Sequence, residues 1–299
     1  MWWSRKKDSG NTDSLDDRIR KQGLERVGDR IKASARDCIR LKAYAANEEA
    51  IPLGATKLGG WPDLPDTTEW PGGSAMPMSF IAQINTSDLP DFDGKSDLPA
   101  DALLSFFYDI ATSPRGYHPR DRGAWKVLAI PFGTPLGRRE TRGVAPIKPC
   151  VFTTRKDLSL PDPASDEVGT WQMDEYEQSD YVALYEALMP KHAAIGANHQ
   201  LLGYASTIQG DMHILCQLAS QGVYWKTVAG PSLFEEEWRP MREAAEEWRL
   251  LLQVDSDRNA LLDIDGGRIY FYIRDSALKA RTFDELWVVT QIRGGSPLP

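Results

Sequence analysis

Cysteine is scarce in this chain of 299 residues: there are three, Cys38, Cys150 and Cys216, far apart and odd in number. No C-x-x-C pair occurs, so neither a disulfide framework nor a zinc ribbon is expected, and a reducing compartment fits. Long apolar runs are missing too, since no stretch nears the ~20 residues that span a bilayer. The opening Met1-Trp2-Trp3-Ser4-Arg5-Lys6-Lys7 lacks the apolar segment that follows the basic end of a signal peptide. The expectation is a soluble cytoplasmic protein. Histidine is sparse as well. His118, His192, His199 and His213 form neither H-E-x-x-H nor a close His-x-His pair, which leaves zinc hydrolysis without support. Phosphate-loop, dinucleotide-fold and nucleophile-elbow glycine motifs are all absent. No catalytic residue, metal or cofactor is therefore expected.

Positive charge is in deficit. Lys and Arg number 35 against 43 Asp and Glu, giving a net charge of -8 and a pI near 5.2. Such a balance disfavours nucleic acid and membrane and favours basic partners. One segment runs against it. Residues 113–142 hold Arg115, Arg120, Arg122, Lys126, Arg138, Arg139 and Arg142 against Asp121 and Glu140, with Tyr117, His118 and Trp125 interleaved. A solvated pair of loops explains this, and so does contact with phosphate. Farther on, Glu235, Glu236, Glu243, Glu246 and Glu247 place an acidic face on a predicted helix. That face suits solvation or docking onto a basic protein.

What is present is a repeat. Phe80-Ile81-Ala82-Gln83-Ile84-Asn85, an aromatic strand at 103–109 and a strand opening at Trp125 find counterparts downstream. These are Leu250-Leu251-Leu252-Gln253-Val254-Asp255, residues 267–273 and a strand opening at Trp287. The fold class expected is α+β: internally duplicated, mostly antiparallel sheet halves with flanking helices behind an N-terminal helix. Residues 1–13 read as a disordered tip, and 14–299 as one domain with halves at about 36–155 and 196–293. Ser14 caps a helix running to about residue 34. Further helices are expected at 175–189, ending at Pro190, and at 233–247, opened by a Ser232–Glu235 capping box and kinked at Pro240. Strands are expected at Cys38–Leu41, 78–84, 102–109, 125–131, 213–217, 248–254, 268–273 and 285–292. The Pro- and Gly-dense stretch 50–77 is an ordered loop pinned by its own tryptophans.

The string Lys57-Leu58-Gly59-Gly60-Trp61-Pro62-Asp63-Leu64-Pro65, with Trp70-Pro71 and the Gln83 strand, resembles the YwqG-like family, a bacterial domain of unknown function. His199-Gln200-Leu201-Leu202-Gly203-Tyr204, Ile208-Gln209-Gly210-Asp211, the Gln253 strand and Gly266-Gly267-Arg268-Ile269-Tyr270-Phe271 extend the resemblance over about residues 30–293. The resemblance implies a duplicated α+β fold and brings no established catalytic residues. Some such proteins sit beside secreted toxins in bacterial genomes, which implies an immunity role by association.

Gln83 and Gln253 are the most informative polar residues, each an amide inside an apolar strand. Either each ties its strand to a neighbouring loop, or both line a cleft between the halves. Asp255-Ser256-Asp257-Arg258-Asn259 opens like a calcium loop, but Ala260 and Gly266 stand where glycine and a carboxylate are required. The leading expectation is a non-enzymatic protein-binding protein, an immunity protein that blocks a cognate toxin by occlusion. The alternative is a small-ligand binder or enzyme using the groove between the halves. Candidate binding residues are Trp61, Trp70, Gln83, Gln209, Asp211, Gln253 and Asp255.

Overall fold

Strand-forming runs recur along the chain, and strands distant in sequence pair as well as neighbours. The computed structural model describes residues 14–73, 76–189, 197–228 and 235–295. The first helical stretch is α1 (Leu15–Lys21), a 3-10 turn and α2 (Gly28–Ser34). The strands are β1 (Arg36–Ala45), β2 (Lys57–Leu58), β3 (Asp63–Leu64), β4 (Ser79–Asn85), β5 (Ala102–Tyr108), β6 (Trp125–Pro131), β7 (Gly137–Arg138) and β8 (Cys150–Ser159). After α3 (Asp166–Gly169) and α4 (Glu175–Leu188) come β9 (His199–Leu201), α5 (His213–Ser220), α6 (Arg239–Ala245) and β10 (Trp248–Asp255). β11 (Arg268–Arg274), α7 (Asp275–Lys279) and β12 (Leu286–Gln291) close the order. Among the described residues no helix is long and apolar enough to cross a membrane.

Ten strands form one antiparallel sheet in the order β12-β11-β10-β9-β1-β8-β2-β4-β5-β6. It curls until its two edges meet, because Trp125 on β6 donates to the Leu286 carbonyl at 3.3 Å and its ring lies 4.9 Å from that of Trp287. The architecture is thus mostly antiparallel β, a nearly closed barrel-like sheet with several helices packed against it. β5 is buried at every position, since both its faces are covered. Leu104, Phe106 and Tyr108 join the main core, with Phe106 5.1 Å from Phe271, while Leu103 and Phe107 join a second cluster under the 59–78 loop. Trp70 holds that loop down, 5.6 Å from Phe107 and bonded to the Met78 carbonyl. The three cysteines are free and buried, and burial pushes the Cys38 and Cys150 thiols up to about 11.

The sheet has two matching arms, β8-β2-β4-β5-β6 and β1-β9-β10-β11-β12, joined where β1 pairs antiparallel with β8. Gln83 and Gln253 occupy the same place in each. Gln83 Nε2 donates to the Ala55 carbonyl and Oε1 accepts from Asp63 N–H, as Gln253 Nε2 donates to Asn198 and Oε1 accepts from Ser206 N–H. Ala55 and Asp63 lie two before and six after Lys57, which pairs with Gln83. Asn198 and Ser206 stand in the same relation to Gln200, which pairs with Gln253. The bulges at Phe80/Ala82 and Leu250/Leu252 match as well. The tryptophans do not. Val127 opposes Phe106 and Val288 opposes Phe271, which aligns Trp125 with Leu286 and offsets Trp287 by one.

Several expected elements differ. Gly23, at φ +69°, breaks the first helix in two. The expected strand at 213–217 is α5, with Asp211 accepting from the His213 N–H at its start. Its apolar run was too short for periodicity to separate strand from helix. Pro240 opens α6 instead of kinking it, because a first-turn N–H has no helical partner to lose. Ser232, Pro190 and residues 1–13 lie outside the described residues. β8 and β9 were not anticipated. β8 reads as polar because its Thr, Arg, Lys and Asp side chains are all exposed or half-buried.

Replacing Gln83 by Leu strands the Asp63 N–H and the Ala55 carbonyl in the interior, at an expected cost of about 2–3 kcal/mol. Gln253→Leu is expected to cost the same, since it strands the matching groups of Ser206 and Asn198. Thermal melting of both variants checks this; an unchanged melting temperature in either would show its amide to be dispensable.

Candidate anion-binding site

The candidate residues named from sequence do not converge. Gln83 and Gln253 are fully buried, each bonded within its own arm. Asp255 accepts from Arg268 Nε at 2.9 Å and from Asn198 N–H at 2.9 Å. Its neighbour Asp257 accepts from His199 Nε2 at 3.0 Å, the other ring nitrogen being an acceptor for Asp255 N–H. Gln209 binds the β12 end through Ile292 N–H, and Asp211 is held by the His213 ring at 2.8 Å. Trp61 and Trp70 stack edge to face at 6.3 Å. The interior between the arms is filled by core side chains such as Phe106 and Phe271. The acidic residues Glu235, Glu236, Glu243, Glu246 and Glu247 are exposed, with Arg239 bridging Glu236 at 3.0 Å and Glu243 at 3.8 Å.

The Lys57–Pro65 string builds a buried ion knot. Lys57 Nζ lies 2.9 Å from Glu48 and 3.8 Å from Asp63, and Arg138 Nε lies 3.2 and 2.9 Å from the same two carboxylates. Burial pulls the Lys57 ammonium below its usual range, against the opposing pull of Glu48 and Asp63. Gly60 is required here because a Cβ would meet Glu48 Oε2 at 1.9 Å. The knot is closed: Asp63 also accepts from Gln83 Nε2 at 2.8 Å and from Gly54 N–H at 2.9 Å. It organises the loop around the fully buried Lys57 and Asp63, with Glu48 and Arg138 partly exposed at its rim.

The basic segment therefore divides. Arg138 belongs to the knot, Arg139 donates to the carbonyls of Pro65 and Asp66, and Lys126 pairs with Asp284. Arg115, Arg120 and Arg122 instead line a cavity of about 660 Å³ together with Tyr117, His118 and Tyr224. The loop between β5 and β6 positions them by crossing to the opposite edge of the sheet. There the Arg115 carbonyl accepts from Thr290 N–H at 3.1 Å, the Gly116 carbonyl from Trp287 Nε1 at 2.7 Å, and Tyr117 donates to the Thr290 carbonyl at 2.9 Å. Within the loop, Asp121 Oδ2 accepts from the N–H groups of Gly116 and His118 at 2.9 and 3.4 Å. Asp121 is the carboxylate among the lining residues, so three arginines line the cavity against one negative charge that is already engaged.

Two of these side chains, Arg122 and His118, are held in place. Arg122 Nη2 donates to the Ser220 carbonyl at 2.6 Å, and its guanidinium stands 5.2 Å from the centre of the Trp287 ring. His118 Nδ1 accepts from Arg120 N–H at 3.1 Å, which leaves the ring proton on Nε2 as a donor. The His118 and Tyr224 rings lie 4.7 Å apart, tilted by 36°. This arrangement can hold an anion by charge and by hydrogen bonds. Arginine density within an acidic chain was the legible signal. Tyr224 gave none, because its segment meets the loop only after folding.

A family model described as a domain of unknown function (DUF1963) matches residues 56–291. No curated protein matches the chain.

Removing the Arg138 side chain leaves Asp63 buried with a weakened counter-charge, and Arg138→Ala is expected to cost about 3 kcal/mol. Arg120 is exposed, and Arg120→Ala is expected to cost less than about 0.5 kcal/mol. Urea denaturation of the two variants separates them; equal costs would contradict the division of the basic segment.

Proposed function

The chain belongs to the DUF1963 family, and on that premise we propose that it is a non-catalytic binding protein for a small multiply charged anion held at the seam between the two arms. The observation that carries this reading is the gathering of Arg115, Arg120, Arg122 and the His118 Nε2–H in one cavity of a chain whose net charge is -8. Phosphate and its esters match such donors in shape and charge. The loop that carries them is tied to β12, so its backbone is in place before any ligand arrives.

A second reading is occlusion of a basic partner, such as a cognate toxin, by the face around α6. It is favoured by the exposed carboxylates of Glu235, Glu236, Glu243, Glu246 and Glu247, two of them shared with Arg239. Co-purification from the native host tests it, and no partner there would remove it. The reading also takes the two arms as descendants of one duplicated unit, supported by the matched amide bonds of Gln83 and Gln253. The closer YwqG-like affiliation rests on the Lys57–Pro65 and Phe80–Asn85 strings. A cytoplasmic setting is supported by the free, buried thiols.

Titration calorimetry with pyrophosphate at low ionic strength is the test. Binding that weakens as salt rises is expected, and Arg120→Glu is expected to weaken it at least about tenfold. Absence of binding, or equal affinity in the variant, would contradict the proposal.

A further inference from the structure

The cleft is open to solvent and, at about 660 Å³, has more room than orthophosphate alone fills. One wall is cationic and another aromatic. The His118 ring is fixed by its bond from Arg120 N–H and lies 4.7 Å from Tyr224, whose ring in turn meets the Trp225 edge at 6.5 Å. Tyr224 is half-buried and lines the cavity with His118. A ligand with a phosphoryl group at one end and a planar ring at the other would meet guanidiniums with the first and π faces with the second.

We infer that the ligand class of this site is a free mononucleotide, its phosphate held by Arg115, Arg120 and Arg122 and its base stacked on the His118–Tyr224 wall. The inference rests on the anion-binding reading above. Charge argues for a free nucleotide over a strand. Three arginines against Asp121 suit one phosphate, whereas the chain as a whole, at -8, repels a polyanion.

Calorimetry of the full chain with adenosine 5′-monophosphate, ribose 5-phosphate and pyrophosphate tests it. The nucleotide is expected to bind about tenfold more tightly than ribose 5-phosphate, the effect of one stacked base. In Tyr224→Ala that ratio is expected to collapse toward one. Tyr224→Leu, which keeps an apolar side chain of substantial size but loses the π face, serves if the alanine variant melts early. Equal affinity of nucleotide and sugar phosphate in the unaltered chain would overturn the nucleotide inference while leaving anion binding standing. Failure of pyrophosphate and both esters to bind would overturn the anion reading itself. A 5′-phosphorylated oligonucleotide binding more tightly than the mononucleotide would overturn the assignment to a free nucleotide.

Discussion

Gly116 is where the sheet closes. Its backbone, at φ +73°, runs so close to β12 that a Cβ there would sit 1.8 Å from the Val288 carbonyl oxygen. Only glycine takes that conformation and that contact together without strain. The close approach lets the Gly116 carbonyl accept from Trp287 and the Arg115 carbonyl accept from Thr290. The edge of β12, which would otherwise present the Thr290 N–H unpaired, is thereby covered there. The cavity depends on the same contact, because Arg115, Tyr117, His118, Arg120 and Arg122 all ride on the loop that Gly116 fastens.

The interior solves its polar problems in pairs. Gln83 and Gln253 each hold the loop that enters their arm, one through Ala55 and Asp63, the other through Asn198 and Ser206. Two loops with unlike sequences are fixed by one device. In the first arm the device extends into charge, since Asp63 also anchors Lys57 and Arg138. In the second arm Arg268 bonds both Asp255 and the Ser206 carbonyl. Family strings that might suggest an active site, above all Lys57–Pro65, are accounted for by these buried contacts.

The two strands with an embedded glutamine were legible as apolar runs broken by one amide, and Gln83 and Gln253 make matching bonds to the loops beside them. The halves' outer limits were less so. β8 is apolar at its start, Cys150-Val151-Phe152, and turns polar from Thr153 to Asp157, although it pairs with β1 along its whole length. α5 was misread because five residues around Cys216 cannot distinguish the two periodicities. Of the two readings of the glutamines, each is seen tying its strand to a neighbouring loop, while Phe106 and Phe271 meet between the arms. The site arose instead from long-range geometry. Arg122 bonds Ser220, and His118 stacks on Tyr224, across more than ninety residues of chain that no local pattern links.

A protein of this kind gains from putting its donors on the closure of its own sheet: the same bonds that tie the sheet's edge fix the loop that carries the arginines, so binding and folding share one set of contacts. Amide hydrogen exchange of Gly116→Ala tests that claim most directly. The account predicts that the Thr290 amide, and those of Gly116 and His118 in the loop, lose protection while the β1–β8 pair keeps its own. Unchanged protection at Thr290 would contradict it.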